Sequence, residues 1–288
     1  MIPVKPTDER VYEWSRRTGS MDGLLDLEPA GEDAWLGRSP EYPWGWVYGG
    51  RIAAQALRAG ALTCADTLIP SSLQCVFLRP ARCDLAREHR VSRLTDTRRR
   101  AARAVAVSQE GALTAQAIAT FDEAAAGKDD ELVRAGVAPD AAMAAALDGR
   151  FLGDAVHVGC FERRRLDAGP GRLAALITLD RAPRSPAETA CLVTYIADDL
   201  PSDAARGVFA DESYLEGPGT ALWSMTASYS LHFGTAKAGR TLVFDARVAS
   251  VDGSRASVEG VVADAESGRV VALCLQQVML RRRRDAAR

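Results

Sequence analysis

The chain has 288 residues, 47% hydrophobic and 26% charged, enough to bury one large core or two of ordinary size and unlike a disordered composition. Its 36 Lys and Arg nearly balance 38 Asp and Glu, so the net charge of -2 gives no chain-wide case for binding nucleic acid or an anionic membrane. Any anion site must be local. Six cysteines (Cys64, Cys75, Cys83, Cys160, Cys191 and Cys274) are scattered, with no CxxC pair and no neighbouring His, which argues for reduced, mostly buried thiols and against a metal site.

Met1 to Arg10 carry no apolar segment after a basic start, and no later run approaches the roughly 18 apolar residues of a membrane span. A cytoplasmic protein is therefore expected, with neither nucleic acid nor membrane as partner. Residues 2–20 read as a polar leading arm. Leu24-Leu25-Asp26-Leu27-Glu28 alternates as a strand, and residues 34–38 as its hairpin partner. Residues 40–50, rich in Pro, Trp and Gly, read as a loop ending in Tyr48-Gly49-Gly50. From Arg51 to Leu62 almost every helical position is apolar and small, which predicts a helix buried beneath a curved sheet. Strand-like runs follow at 72–78, 83–94, 100–108 and 112–121, the last after a Gln109-Glu110-Gly111 turn.

Residues 122–150 turn Ala-, Asp- and Lys-rich and lose any strand period, which marks an interdomain linker. The pattern then repeats: strands at 155–165 and 172–179, a Pro183-Arg184-Ser185-Pro186 entry, an apolar helix over 187–197, and strands at 219–233, 241–251, 255–265 and 269–280. Helix followed by long strands thus occurs twice, roughly 140 residues apart, which is a domain-scale duplication rather than a solenoid repeat. The expected class is α+β: a double hotdog, with two antiparallel sheets each wrapped around a long central helix, an N-terminal unit over 1–121 and a C-terminal unit over 151–288.

Three stretches resemble acyl-CoA thioesterase II. They are Tyr48-Gly49-Gly50 followed by a helix through Gln55-Ala56-Leu57, the strand end Phe77-Leu78-Arg79-Pro80, and the terminal strand with Gln276 and Arg281 five residues apart. The resemblance spans nearly the whole chain, and it implies hydrolysis of an acyl thioester by a carboxylate, a hydroxyl and an amide holding one water. Carried over by position, these are Asp198, Ser224 and Gln276, all in the second half, with no cofactor, no metal and no covalent intermediate. An ionised Asp serves as general base, and the hydroxyl and amide orient the water. The helix start at Gly49, Gly50 and Arg51 would supply N–H donors to the oxyanion.

The chain departs from the family pattern at Thr226-Ala227, where Asp-His is usual, at Asp96-Thr97-Arg98-Arg99-Arg100, where a Gly-containing hairpin is usual, and at Gln74-Cys75. Arg98, Arg99, Arg100 and Arg103 form a local basic cluster that could meet CoA phosphates or an acidic acyl carrier protein, or could be solvated surface. Arg281 to Arg284 form a second basic run, with solvated surface as the default reading.

Each candidate also has an ordinary structural reading. Asp198, Asp199 and Pro201 could be turn chemistry, and Asp199 is the alternative base one residue on. Strand alternation puts Ser224, Thr226, Ser228 and Ser230 on one face. Gln276 in an apolar strand must find partners. Cys75 reads as an inert core thiol and His232 as structural. With His89, His157 and His232 the only histidines and no Gly-x-Ser-x-Gly elbow, a Ser-His-Asp hydrolase is disfavoured, as is a hotdog dehydratase. Two rivals remain: a pathway-specific enzyme acting on a carrier-bound intermediate, and a non-catalytic acyl-thioester-binding protein. A monomer is admissible, and a homodimer is what the resemblance implies.

Overall fold

A computed structural model of the chain describes residues 21–42, 45–124, 161–167, 170–208, 222–235 and 237–282. Twelve antiparallel strands form one continuous sheet in the order β1-β2-β4-β5-β6-β3-β9-β12-β11-β10-β8-β7. The first half contributes β1 (Glu28–Gly31), β2 (Ala34–Gly37), β3 (Leu68–Phe77), β4 (Arg87–Asp96), β5 (Arg100–Gln109) and β6 (Ala112–Glu123). The second contributes β7 (Phe161–Asp167), β8 (Arg172–Leu179), β9 (Leu222–Phe233), β10 (Thr241–Asp252), β11 (Arg255–Asp264) and β12 (Val270–Arg282). The expectation of two separate sheets is corrected at one seam: β3 pairs with β9 from Ser72↔His232 to Val76↔Ser228, so backbone hydrogen bonds run across the halves. Pairing removes two edges that would otherwise be exposed.

The expected strand at 24–28 is instead a short helix, α1 (Met21–Leu25), and the hairpin starts later, at β1. Met21 and Leu24, three apart, are both buried, a helical spacing that outweighs the local alternation. The central helix α2 (Gly49–Ala61) begins inside the supposed loop, and its small residues Ala53, Ala54, Ala56 and Ala59 are fully buried. Its counterpart α3 (Pro186–Ile196) starts at the predicted Pro entry: Ser185 caps it by accepting from Glu188 N at 3.1 Å, and Pro186 occupies the first turn, where a missing N–H costs nothing. A further short helix, α4 (Leu200–Gly207), went unread in the sequence. Among the described residues no helix is long and apolar enough to cross a membrane. The expected leading arm, most of the linker and residues 155–160 lie outside the described residues.

Strand β9 does not present its four hydroxyls on one face. Its register against β12 shifts between Ser228↔Gln277 and Thr226↔Val278, a bulge at Ala227. A bulge inserts one residue and so exchanges the faces beyond it. Ser224 and Thr226 therefore join Tyr229 on the helix side, as their hydrogen bonds to α4, Asp198 and α3 show, while Ser228 and Ser230 alternate with buried Tyr229 and Leu231.

Candidate active site

Helix α2 has no side-chain cap of its own, since Tyr48 stands at the N-cap position. The first-turn N–H groups of any helix need acceptors. Here Asp198, just past the C-terminal cap of α3, supplies one from the other half of the chain: Gly50 N donates to Asp198 Oδ2 at 2.8 Å. The positive end of α2 thereby faces a carboxylate, the favourable arrangement for a helix dipole.

The Tyr48-Gly49-Gly50 sequence is explained by this junction. A Cβ on Gly49 would lie 2.8 Å from Asp198 Oδ2 and 3.2 Å from ring atoms of Phe77. One on Gly50 would collide with the Tyr195 carbonyl oxygen and come within 2.6 Å of the Tyr48 ring. Tyr48 closes the joint, donating its hydroxyl to Tyr195 O at 3.0 Å with the two rings edge to face at 5.0 Å.

Gln276, fully buried on β12, reaches the same place. Its Nε2 donates to the main-chain oxygen of Asp198 at 2.9 Å and to Thr226 Oγ1 at 2.7 Å, with Ser202 Oγ of α4 at 3.4 Å. Thr226 Oγ1 lies 3.4 Å from the Asp198 carbonyl oxygen. The amide expected from the sequence thus meets the main chain of the expected acid, and the hydroxyl beside them is Thr226. Ser224 is held elsewhere, accepting from Arg206 Nη1 of α4 at 2.5 Å. The bulge at Ala227 is what brings Thr226 inward; register shifts leave no mark in residue type, so the sequence offered no signal for it.

Asp198 is only 5% exposed, and its charge is felt by the groups around it. Burial first, and Asp198 next, push the Tyr48 phenol well above its ordinary range. The Cys75 and Cys274 thiols are raised by the same two causes, Cys274 to about 12, so Cys75 is an inert core thiol rather than a nucleophile. Asp199, the alternative base, is engaged with Arg163 Nη1 at 2.7 Å. Of the expected oxyanion donors, Gly50 N serves Asp198 and Arg51 N serves Tyr48 O at 3.1 Å, while the Arg51 guanidinium turns away to the carbonyls of Arg38 and Gly23. His232 is exposed on β9, and His157 lies outside the described residues.

The basic cluster divides. Arg103 is fully buried and cannot meet a phosphate: it donates to Thr63 Oγ1 at 2.6 Å, to the Thr63 carbonyl at 3.1 Å and to Asp96 Oδ1 at 2.6 Å, tying the end of α2 to the β4–β5 hairpin. On a strand whose alternate residues face the core, its side chain has no other direction to take. Arg98, Arg99 and Arg100 are exposed at the hairpin, with Arg99 near Glu123 at 3.4 Å and Arg100 near Asp122 at 3.5 Å.

Residues 38–122 match the model of the acyl-CoA thioesterase N-terminal domain, and residues 122–280 that of the C-terminal domain. The chain belongs to the acyl-CoA thioesterase family. It is accordingly a thioester hydrolase. Among solved structures it resembles an acyl-CoA thioesterase II, TesB2, of Mycobacterium marinum (19% identity over 93% of this chain and 99% of that one, TM-score 0.72). It also resembles a TesB protein of Mycobacterium avium subspecies paratuberculosis (24% identity, 89% and 96% covered, TM-score 0.68). The dehydratase domain of RzxB from Pseudomonas fluorescens is more distant (16% identity, 90% and 98% covered, TM-score 0.51). At these identities the likeness shows a shared fold, which hosts more than one chemistry. No curated protein sequence matches the chain.

Proposed function

We propose that this thioesterase hydrolyses an acyl-CoA by direct attack of water, with Asp198 as general base and Thr226 and Gln276 as the groups that orient the water. The observation that carries this reading is the turn at Asp198: its buried carboxylate faces the start of α2, and its main-chain carbonyl gathers the Gln276 amide and the Thr226 hydroxyl. Asp198 takes a proton as the water oxygen adds to the thioester carbonyl. The tetrahedral oxyanion collapses, the C–S bond breaks, and the proton passes to the departing thiolate, giving a free acid and CoA. Gln276 Oε1 is buried and accepts no hydrogen bond among the described residues, so it can take one from the water O–H. The positive end of the α2 dipole favours both the Asp198 carboxylate and an oxyanion developing beside it.

In this reading the chain is a double hotdog, with units over 1–121 and 151–288 fused through β3 and β9. Arg98, Arg99 and Arg100 are the candidate contacts for CoA phosphates, and an acyl carrier protein would use the same exposed hairpin. A homodimer is supported by Val76, Ile118, Met225, Leu273 and Leu275, large apolar side chains left exposed on the central strands; light scattering that gives a monomer mass would remove it.

The test is thiol release from acyl-CoAs of graded chain length, comparing wild type with Asp198→Asn. Turnover falling by roughly 100- to 10,000-fold in the variant supports Asp198 as base. Folded protein that binds acyl-CoA without turnover would instead support the binding-protein reading, and turnover confined to carrier-bound thioesters the pathway-specific one.

A further inference from the structure

The carboxylate proposed as base does not stand alone. Asp199 follows it directly and Asp203 lies one turn further along α4, so three acids fall within six residues. Carboxylates held this close oppose one another's ionisation. Asp199 reaches the site electrically, since its charge, like that of Asp198, acts on the Tyr48 phenol.

Two buried guanidinium groups answer the two extra acids. Arg163, on the outermost strand β7 and 7% exposed, places Nη1 2.7 Å from Asp199 Oδ2 and Nη2 4.0 Å from Asp203 Oδ2. Arg206, a turn beyond Asp203 on α4, pairs with Asp203 and reaches Ser224. These pairs set a cation against each of the two extra acids. Among the described residues, Tyr48 before α2, Cys75 on β3, Tyr229 on β9 and Cys274 on β12 also feel the Asp198 charge, and burial raises all four so that they stay neutral.

Resting on the reading of Asp198 as base, we propose that Arg163 is a positioning residue for hydrolysis: it cancels the charge of Asp199 and anchors the start of α4, keeping Asp198 ionised and aimed at Gly50 N. The anchoring is direct. Asp199 is the N-cap residue of α4, its carbonyl accepts from Asp203 N at 3.1 Å, and the carbonyl of Asp198 beside it is the acceptor for Gln276. A strand from the edge of the sheet thus reaches the catalytic turn through one ion pair.

The test is the pH profile of kcat/KM for Arg163→Gln, Asp199→Asn and the double variant. Removing the cation leaves the Asp199 charge facing Asp198, so the acidic limb of Arg163→Gln should move up by about one pH unit. Asp199→Asn should move it down, and the double variant should return it close to wild type, with Arg163→Lys unmoved. A merely structural role would lower activity equally at every pH. The inference is overturned if Asp199→Asn leaves the limb in place, or if the double variant fails to restore it. Should Arg163→Gln not fold, Asp199→Asn and the double variant still decide the matter. Asp198→Asn separates the two readings: if it retains activity, the base assignment itself fails; if it is inactive and the limb never moves, only the role of Arg163 does.

Discussion

Replacing Gly49 with alanine separates the geometry of the helix junction from its stability. The backbone at Gly49 is helical and has no positive φ, so alanine is conformationally welcome there and by helix propensity alone would stabilise by up to about 1 kcal/mol. Its methyl group, however, would sit 2.8 Å from Asp198 Oδ2 and 3.2 Å from the Phe77 ring. Ordinary contact begins near 3.4 Å, so the carboxylate must retreat by about 0.6 Å, a large part of the roughly 1 Å misplacement that can cost about 100-fold in rate. Crowding against Phe77 costs about 1 kcal/mol and offsets the propensity gain. The expected result is a melting temperature close to wild type and a kcat lowered roughly 10- to 100-fold, read by thiol release and differential scanning calorimetry. Gly50→Ala is the contrast. Its methyl meets the backbone carbonyl of Tyr195, which cannot swing away, so the main chain at residue 50 must shift and stretch its hydrogen bond to Asp198. A loss of about 3 kcal/mol is expected, lowering Tm by roughly 5–10 °C. Wild-type kcat in Gly49→Ala would refute the placement of the Asp198 carboxylate at the start of α2.

Thr226→Ala should cost at least 10-fold in kcat, because it removes a partner of Gln276, whereas Ser224→Ala should cost much less; steady-state kinetics showing the reverse order would return the role to Ser224. Arg103→Gln should destabilise by about 1–3 kcal/mol, since it takes a donor from the buried Thr63 hydroxyl and carbonyl while the exposed Asp96 turns to water; its KM for acyl-CoA should stay near wild type, and a raised KM in the folded variant would restore the phosphate-contact reading. Arg98→Ala with Arg99→Ala should raise KM and flatten its salt dependence while sparing kcat, as removal of exposed phosphate contacts would. His89 gives a pH prediction: burial, with Arg87 adding, depresses its folded pKa from 6.5 to about 3. The unfolded chain takes the proton first, so this contribution is complete above pH 6.5 and is lost on acidification towards 3, at about 1.4 kcal/mol per unit. His89→Leu should flatten that slope in urea melts between pH 6 and 4; an unchanged slope would sink the assignment.

The candidate site was legible mainly through the resemblance. Asp198 and Gln276 are named through the resemblance to acyl-CoA thioesterase II; on its own Asp198, followed by Asp199 and Pro201, reads as turn chemistry, and only Gln276, an amide in an apolar strand, asks for partners by itself. Gly49 and Gly50 are named through the same resemblance, as the end of a loop, and the structure places them in the first turn of α2. Thr226 could not be named, since its inward direction depends on a bulge against β12, a partner 50 residues away. Arg103 was misread because a charged hairpin looks solvated until the strand pairing fixes which side chains turn inward.

The sequence by itself determined the repeated order of helix and strands and the burial of α2 and α3, because apolar period, small-residue packing and turn chemistry act locally along the chain. Only the tertiary structure decided that the two halves share one sheet, that Asp198 caps a helix from the other half, and that three neighbouring acids are balanced by Arg163 and Arg206. Those outcomes depend on distances between residues as many as 160 positions apart, as Ser72 and His232 are, and a distance of that kind is set by how the elements pack, not by any residue alone.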